Sequence, residues 1–225
     1  MVGRPWSLQT TGRRAAGFAA LLLTLASCGA PSYRYLKNDG DKTYLRMPRA
    51  WGVLDAQTAA AQQGDTLPAP WQRVFDAARP ADQAHVELAE PDQVIGRLTV
   101  FYVNAKTADG LSAGALRKAL SPLDVDPVEA ADASDAAKGA LRDFKVEARE
   151  GGLRGSRVVY TVQTESGGTV VFDQTTLLDP KAYPNPLTGA AMFKVFALSL
   201  HCTTSCYDKA KSDIDEVVTS WTVVT

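Results

Sequence analysis

The sequence predicts an α+β fold: an antiparallel β-sheet flanked by helices, with an amphipathic C-terminal helix on the sheet. Three observations predict it. Strand-like runs in the second half follow one another through paired glycines, residues 94–103 are rich in β-branched and aromatic residues, and residues 208–221 have the apolar spacing of a helix. Strands joined by short glycine turns pair antiparallel, and a helix with one apolar stripe covers a sheet face.

The first predicted elements form a β-hairpin. Residues 33–36 and 43–47 are short strand-like runs, and residues 38–41 between them, Asn-Asp-Gly-Asp, are the residue types of a tight turn. A glycine-bearing turn between two such runs predicts antiparallel pairing. Pro48 has no backbone N–H to donate and therefore ends the second strand.

The middle of the chain alternates between weak and strong structural signals. Residues 56–91 are rich in Ala, Gln and Pro, which predicts a flexible insertion with one short helix near residues 71–78. Residues 94–103 predict a central strand, and residues 112–120 predict a helix. Residues 122–135 contain Pro and five acidic residues, and this composition predicts a solvated connection.

The second half of the chain has the clearest sheet pattern. Residues 141–150, 157–164 and 169–178 are strand-like, and Gly151-Gly152 and Gly167-Gly168 join them. Strand-like runs separated by glycine turns predict an antiparallel meander.

Residues 192–202 and 208–221 predict a strand followed by an amphipathic helix. Apolar side chains at i, i+3, i+4 and i+7 form one stripe on a helix, and we expect this stripe to pack on the sheet. The stripe consists of Ile214, Val217, Val218 and Trp221.

The N-terminus has the pattern of a signal peptide. The first 14 residues contain Arg4, Arg13 and Arg14 and no acidic residue, and residues 15–25 form an almost unbroken apolar run of 11 residues. A positively charged segment before an apolar run is typical of an export signal. Because a helix needs about 20 residues to cross the hydrocarbon core, this run is too short to remain as a membrane span.

The apolar run ends at Leu25-Ala26-Ser27-Cys28, which resembles the bacterial lipobox. The resemblance implies cleavage after residues 1–27, a diacylglyceryl thioether with fatty acyl chains such as palmitate on Cys28, and a protein held on the extracytoplasmic face of the cell membrane. Residues 28–32 then form a lipidated tether and residues 33–225 a single α+β domain. An ordinary secretory signal is the alternative, and both the general and the twin-arginine export routes stay open.

Charge and composition exclude some classes of function. Removal of residues 1–27 takes away three Arg and no acid, so 21 basic residues face 25 acidic ones and the formal charge is −4. A nucleic-acid partner is therefore not expected. The remaining 198 residues suit one domain, and the chain's 45% apolar content is typical of a globular protein.

Two regions resemble the PsbP-like superfamily, which includes the Lpq-type lipoproteins of actinobacteria. Residues 44–51, Tyr-Leu-Arg-Met-Pro-Arg-Ala-Trp, are similar to the family's opening strand, which ends in Pro with a Trp three residues on. Residues 196–202 and the helix closing at residues 217–223 are similar to the family's last strand and helix. The resemblance covers most of residues 33–225. It implies an antiparallel sheet flanked by helices and a non-catalytic binding or assembly role, and it supplies no catalytic residue.

One motif favours an enzyme. Residues 110–114, Gly-Leu-Ser-Ala-Gly, match the G-x-S-x-G nucleophile elbow and lie between a predicted strand and a predicted helix. An elbow places its Ser directly after a parallel strand, whereas residues 104–109 intervene here and the neighbouring strands are predicted to be antiparallel. The base would have to be His201, the one histidine downstream. We interpret Ser112 as a helix N-cap, because its hydroxyl can accept from free backbone N–H groups.

Cys202 and Cys206 are predicted to form a disulfide bond. They are the two cysteines that remain once Cys28 is lipidated, in a compartment that does not keep thiols reduced. A tight turn between strand and helix brings two Cα atoms within the roughly 4.4–6.8 Å that the bond requires. Two buried free thiols are the alternative. With His201 these cysteines offer three zinc ligands, one fewer than a structural site needs, so no metal site is expected.

Two other patterns are better explained by a structural role than by a metal-binding or partner-binding role. The acidic run within residues 122–135 lacks the central Gly and terminal Glu of a calcium-binding loop. Trp71 and Phe75 lie four residues apart and offer an aromatic anchor for a partner, but local packing is the preferred interpretation.

Together these patterns predict a membrane-anchored extracytoplasmic lipoprotein that acts as a non-catalytic binding or scaffold module in the cell envelope. Its expected partners are the membrane, through the lipid on Cys28, and another envelope protein or component, and no cofactor is expected. A lipid-anchored serine hydrolase that uses Ser112 and a carrier of a small apolar ligand are the alternatives.

Overall fold

The computed structural model describes residues 32–55, 67–110, 113–120 and 140–225. Tyr33–Thr225 forms one compact unit. Four predicted features lie outside the described residues: the signal peptide, the lipidation site Cys28, Ser112 and the acidic connection of residues 122–135.

The described residues form ten strands and four α-helices. The strands are β1 (Tyr33–Asn38), β2 (Thr43–Pro48), β3 (Gly52–Asp55), β4 (Trp71–Asp76), β5 (Ile95–Asn104), β6 (Ala140–Ala148), β7 (Arg154–Gln163), β8 (Thr169–Pro184), β9 (Ala191–Thr203) and β10 (Thr222–Val223). The helices are α1 (Gln83–Val86), α2 (Ala105–Gly110), α3 (Ala113–Leu120) and α4 (Thr204–Ser220). Within these ranges no helix combines the length and the apolar character needed to cross a membrane.

The strands make two antiparallel sheets. The larger sheet has the order β3-β4-β5-β9-β8-β7-β6, and the smaller has the order β1-β2-β10. Every described strand pair is antiparallel, and helices pack on the larger sheet. The predicted α+β class, with an antiparallel sheet flanked by helices, is therefore confirmed.

Helix α4 covers one face of the larger sheet with the stripe that the sequence predicts. Each residue of the stripe is at most 4% exposed: Ile214, Val217, Val218 and Trp221. They join one apolar cluster with Leu198 and Leu200 of β9. Burial of one such aliphatic side chain stabilises the fold by about 1.5–3 kcal/mol. The indole of Trp221 also donates to Thr43 Oγ1 of β2 at 2.9 Å, which ties α4 to the smaller sheet.

The opposite face of the larger sheet carries α2 and α3. Leu116 of α3 packs there against Leu178 of β8 and Val195 of β9. Val195 points away from α4 because side chains alternate along a strand and Leu198 points toward α4. Both faces of the sheet are therefore in contact with helices.

The predicted hairpin is confirmed as β1 and β2, in which Tyr33 is opposite Pro48. Its turn is fastened to the larger sheet by Lys194, whose ammonium lies 3.0 Å from a carboxylate oxygen of Asp41. Lys194 is 6% exposed and also lies over the ring of Tyr183 at 4.5 Å. A buried ammonium needs such compensation, so the pair holds the hairpin in place.

The helix predicted near residues 71–78 is wrong, because Trp71–Asp76 is strand β4 and pairs with both β3 and β5. A spacing of four places Trp71 and Phe75 on one face of a strand as well as on one face of a helix. Because β4 pairs with β5, which lies farther along the chain, the segment is a strand and not a helix. Of the predicted flexible insertion, residues 71–76 therefore belong to the sheet and residues 83–86 form α1, whereas residues 56–66 lie outside the described residues.

The meander predicted in the second half is confirmed as β6, β7 and β8. Gly151, Gly152 and Gly167 in its turns have φ angles of 76°, 81° and 86°, which glycine adopts without a steric penalty. Strand β8 continues to Pro184, beyond the predicted end at residue 178, through an irregularity after Leu178.

Helix α4 begins at Thr204, four residues before the predicted start at residue 208. Strand β9 runs to Thr203, so strand and helix follow one another without a loop. Cys206 therefore lies in the first turn of α4 rather than in a loop before it.

A candidate binding cleft beside the terminal helix

A cleft of about 980 Å³ lies between the first turns of α4 and the chain that connects β4 to β5. Its volume is at the upper end of the roughly 300–1,000 Å³ typical of ligand sites. The α4 side of the cleft consists of Thr203, Ser205, Cys206, Lys209, Ala210 and Asp213. The other side consists of Ala77, Ala78, Arg79, Asp92, Gln93 and Val94, with Trp51 between the two sides.

The floor of the cleft is apolar and belongs to the core. Trp51, Val94 and Cys206 are 5%, 2% and 9% exposed, and all three join the apolar cluster under α4. The Trp51 ring stacks on Phe75 of β4, with 5.9 Å between the ring centroids. Because packed aromatic rings are held in one orientation, the floor has a fixed shape.

One carboxylate organises the wall that follows β4. Asp76, the last residue of β4, is fully buried, and its oxygens accept from the backbone N–H of Ala78 at 2.8 Å and of Asp82 at 3.1 Å. His85 Nδ1 lies 2.9 Å from the same carboxylate, and His85 Nε2 lies 3.4 Å from Asp92. Asp76 is thus a positioning residue that fixes the turn carrying Ala78 and the cleft wall around it.

The second wall is a stripe of α4 distinct from the stripe on the sheet. Cys206, Lys209, Ala210 and Asp213 follow the spacing i, i+3, i+4 and i+7, which places them on one side of a helix. Lys209 and Asp213 are exposed, whereas Cys206 is buried. This stripe therefore has an apolar base and a charged edge.

The rim of the cleft carries two cations and two anions. Arg79 and Asp92 are on the β4–β5 side, Lys209 and Asp213 are on the α4 side, and all four are exposed. Within the described part of the chain, no ion pair joins any of these four residues to another of them. The four rim charges are therefore not neutralised by one another, although Asp92 lies 3.4 Å from His85 Nε2.

A disulfide bond between Cys202 and Cys206 lies beside the floor of the cleft. It joins the end of β9 to the first turn of α4, with 5.9 Å between the Cα atoms. This distance falls within the roughly 4.4–6.8 Å range of disulfides. The bond fixes Cys206, and with it the start of the wall that α4 supplies.

Reduction of this disulfide is expected to lower the melting temperature modestly and to leave the fold intact. The closed loop is short, with a sequence separation of 4, so the chain-entropy model gives only about 2 kcal/mol of stabilisation. Thermal unfolding with and without reductant measures the effect. Alkylation of denatured, unreduced protein from the envelope followed by mass spectrometry tests the bond itself, and two labelled thiols at 202 and 206 would contradict it.

The remaining sequence candidates do not form a reactive cluster with the cleft. Cys202 and Cys206 are in the disulfide, so they offer no thiolate to a metal, and the described residues contain no group of three metal-ligating side chains. His201 lies in β9 and stacks on Phe172 at 5.0 Å. Burial, followed by the charges of Arg97 and His85, lowers the pKa of His201 to about 4, so its imidazole is neutral at pH 7.

The predicted aromatic pair of β4 serves packing. Phe75 is fully buried, and Trp71 is half-buried, packs on the same apolar cluster and lies 5.3 Å below the guanidinium of Arg73. Sequence reasoning did not find Asp76 or the four rim charges. A carboxylate directly after the apolar pair Val74-Phe75 was the available signal for Asp76, and the helical interpretation of residues 71–78 hid it.

Comparisons with known proteins find two solved structures that are similar to this chain. No protein-family model matches the chain, and no curated protein matches it. The chain is similar to the solution structure of cyanobacterial PsbP (CyanoP) from Synechocystis sp. PCC 6803, with 16% identity, a TM-score of 0.41 and coverage of 88% of this chain and 96% of that one. It is also similar to LpqN, involved in cell envelope biogenesis of Mycobacterium tuberculosis, with 13% identity, a TM-score of 0.42 and coverage of 86% and 91%.

These are the kinds of protein that the sequence resemblance names.

Proposed function

We propose that this chain is an extracytoplasmic lipoprotein, anchored to the cell membrane through Cys28, that acts as a non-catalytic binding or scaffold module in the cell envelope. The observation that carries the binding role is the cleft beside α4. Its floor is part of the core, one wall is fixed by the buried Asp76, and the other is fixed by the Cys202–Cys206 disulfide. A cleft whose floor and two walls are fixed in this way is suited to hold a partner in one orientation.

The chemistry of the cleft supports binding rather than catalysis. Its described lining offers the hydroxyls of Thr203 and Ser205 but no histidine to activate either one. The serine hydrolase alternative would draw on His201, which is stacked on Phe172 and is a weak base, because burial lowers its pKa to about 4. A triad base needs a free ring nitrogen within hydrogen-bond reach of the nucleophile.

The anchor is argued from the sequence. The lipobox at residues 25–28 supplies the acceptor Cys28, and residues 28–32 are the tether to β1. At roughly 3.5 Å per residue this tether reaches less than about 20 Å. The cleft is therefore expected to meet its partner close to the outer surface of the membrane.

Replacement of Cys28 by Ser is expected to release the protein from the membrane fraction. Two acyl chains hold a protein stably on a bilayer, and without the thioether no chain is attached. Membrane fractionation and intact mass of the wild type and the variant measure this, with Ser32→Ala, which changes the tether but spares the lipobox, as the matched control. A Cys28→Ser protein that stays in the membrane fraction, together with a wild type without acyl mass, contradicts the anchor.

The non-catalytic role has a separate test. Labelling of the wild type and of Ser112→Ala with a fluorophosphonate probe is expected to give no adduct in either protein. An adduct that forms on the wild type and disappears in Ser112→Ala would establish the serine hydrolase instead. Native mass spectrometry of protein purified from its own host distinguishes the third possibility, because a carrier of a small apolar ligand would retain that ligand.

A further inference from the structure

We infer that the cleft beside α4 binds an extended peptide segment of an envelope protein in which an apolar residue stands between an acidic and a basic residue. This inference rests on the proposed binding function and names the class of its partner. It is argued from the rim charges, from the floor and from the spacing of the α4 wall.

The rim charges favour a ligand that carries both signs. Each wall presents one cation and one anion, Arg79 with Asp92 and Lys209 with Asp213. A ligand with a single charge is attracted by two of these groups and repelled by the other two. A ligand that carries one acidic and one basic side chain can place each beside the opposite charge of one wall, which gives electrostatic complementarity there.

The spacing along α4 matches the repeat of an extended chain. Lys209 and Asp213 are four residues apart on the helix, which corresponds to about 6 Å along its axis. Side chains two residues apart on an extended strand point the same way and are separated by about 6.6 Å. An acidic residue and a basic residue at positions i and i+2 of a bound peptide can therefore face Lys209 and Asp213 together.

The apolar floor then receives the residue between them. Successive side chains of an extended chain alternate in direction, so the residue at i+1 points to the floor when its neighbours point to the rim. There it meets Trp51 and Val94, both buried and apolar. Gln93 and Ser205 are exposed on opposite walls and offer hydrogen bonds to the peptide backbone.

The same features disfavour an acyl chain. Burial of a hydrocarbon chain needs a continuous apolar surface, but the exposed residues of the cleft are charged or polar: Arg79, Asp92, Gln93, Ser205, Lys209 and Asp213. The apolar lining is limited to the floor and to the small side chains of Ala77, Ala78 and Ala210 in the walls.

A charge-exchange experiment tests the inference with defined probes. The full-length lipoprotein in detergent micelles is titrated into three fluorescein-labelled peptides with the cores Glu-Leu-Lys, Lys-Leu-Glu and Gln-Leu-Gln, flanked by glycines, and anisotropy is measured. One charged order is expected to bind about fivefold more tightly than the other, with the neutral peptide weaker than the preferred one. In Lys209→Glu combined with Asp213→Lys, the preferred order is expected to reverse.

The matched control exchanges charges away from the cleft. Lys181→Glu combined with Glu165→Lys changes two exposed residues and keeps the same net charge, so the original preference should remain. If the exchanged cleft variant does not fold by circular dichroism, Lys209→Gln combined with Asp213→Asn replaces it, and there the preference should disappear. Equal affinity for all three peptides, no binding, or an unchanged order in the cleft variant overturns the inference.

Photo-crosslinking in the native envelope identifies the class of the natural partner. A photoreactive amino acid at Ser205 in the cleft is compared with one at Thr188, an exposed residue outside its lining. A crosslinked peptide found from position 205 and absent from position 188 supports the inference, whereas adducts that contain lipid alone overturn it. The anchor is tested independently by Cys28→Ser, so failure of the peptide assay and failure of the proposed function are distinguishable.

Discussion

Asp173→Ala is expected to lower the free energy of unfolding by about 3–5 kcal/mol, the cost of removing one partner from a buried ion pair. Asp173 is fully buried on the face of β8 that α4 covers. Arg157 of β7 donates to both of its carboxylate oxygens, at 2.9 and 2.6 Å, and Tyr207 of α4 donates to Oδ2 at 2.9 Å. Removal of the carboxylate leaves a guanidinium and a phenol without their shared acceptor in a desolvated place.

Asp173 also shifts the pKa values of both of its partners. Hydrogen bonds that Arg157 donates to Asp173 hold the pKa of Arg157 above its already high usual value, although burial opposes this. Burial, followed by the charge of Asp173, raises the pKa of Tyr207. Arg157 also donates to Asp215 of α4 at 2.9 Å, so the network joins β7, β8 and α4.

An exposed ion pair between α4 and β6 provides the matched control. Asp208 lies 3.3 Å from Arg142, but its side chain is 63% exposed. Asp208→Ala should therefore cost no more than about 1 kcal/mol. Urea unfolding followed by tryptophan fluorescence measures both variants. Equal losses of unfolding free energy in the two variants would show that the buried pair contributes no more than the exposed one. Arg157→Leu combined with Asp173→Leu should recover much of the stability that Asp173→Ala loses.

The elements predicted correctly from the sequence are those with a local signal. The meander has glycines at turns whose φ angles require them, and α4 has four apolar residues on one stripe, so each pattern determines its element without knowledge of the rest of the chain. Strand β4 was missed because its sequence, flanked by Ala, Gln and Pro, is compatible with a helix as well as a strand. Only the pairing of this segment with β5, in which Trp71 is opposite Val100, distinguishes a strand from a helix here.

The cleft could not be predicted for a related reason. Its walls come from residues 77–94 and 203–213, which are more than 100 positions apart in the sequence. Lys209 and Asp213 look like any solvated helix face until the β4–β5 connection is placed opposite them. The disulfide was predictable because the predicted export and the count of cysteines restrict the pairing, whereas the position of that bond beside a cleft depends on the tertiary fold.

Phe75→Ala is expected to cost about 3–5 kcal/mol of stability and also to weaken peptide binding in the cleft. The ring is fully buried and supports Trp51 from below, so its removal leaves a cavity under the floor. The residue beneath the ring is Gly96 of β5, where an added Cβ would lie 1.8 Å from Phe75 Cε2. Glycine at this position is therefore required by the close approach of the ring.

The coupling between the two positions gives the sharper test. Gly96→Ala alone should cost about 1–3 kcal/mol, because the new methyl group displaces the ring, but in a Phe75→Ala background that methyl group enters the cavity. The double variant should therefore lose less stability than the two single losses added together. Gly40→Ala, whose Cβ would meet its nearest neighbour, Asn38 Oδ1, at 3.4 Å, is the control for the loss of a glycine. Strictly additive losses in urea unfolding, or unchanged affinity for the preferred peptide in Phe75→Ala, would show that Phe75 does not hold the cleft floor against β5.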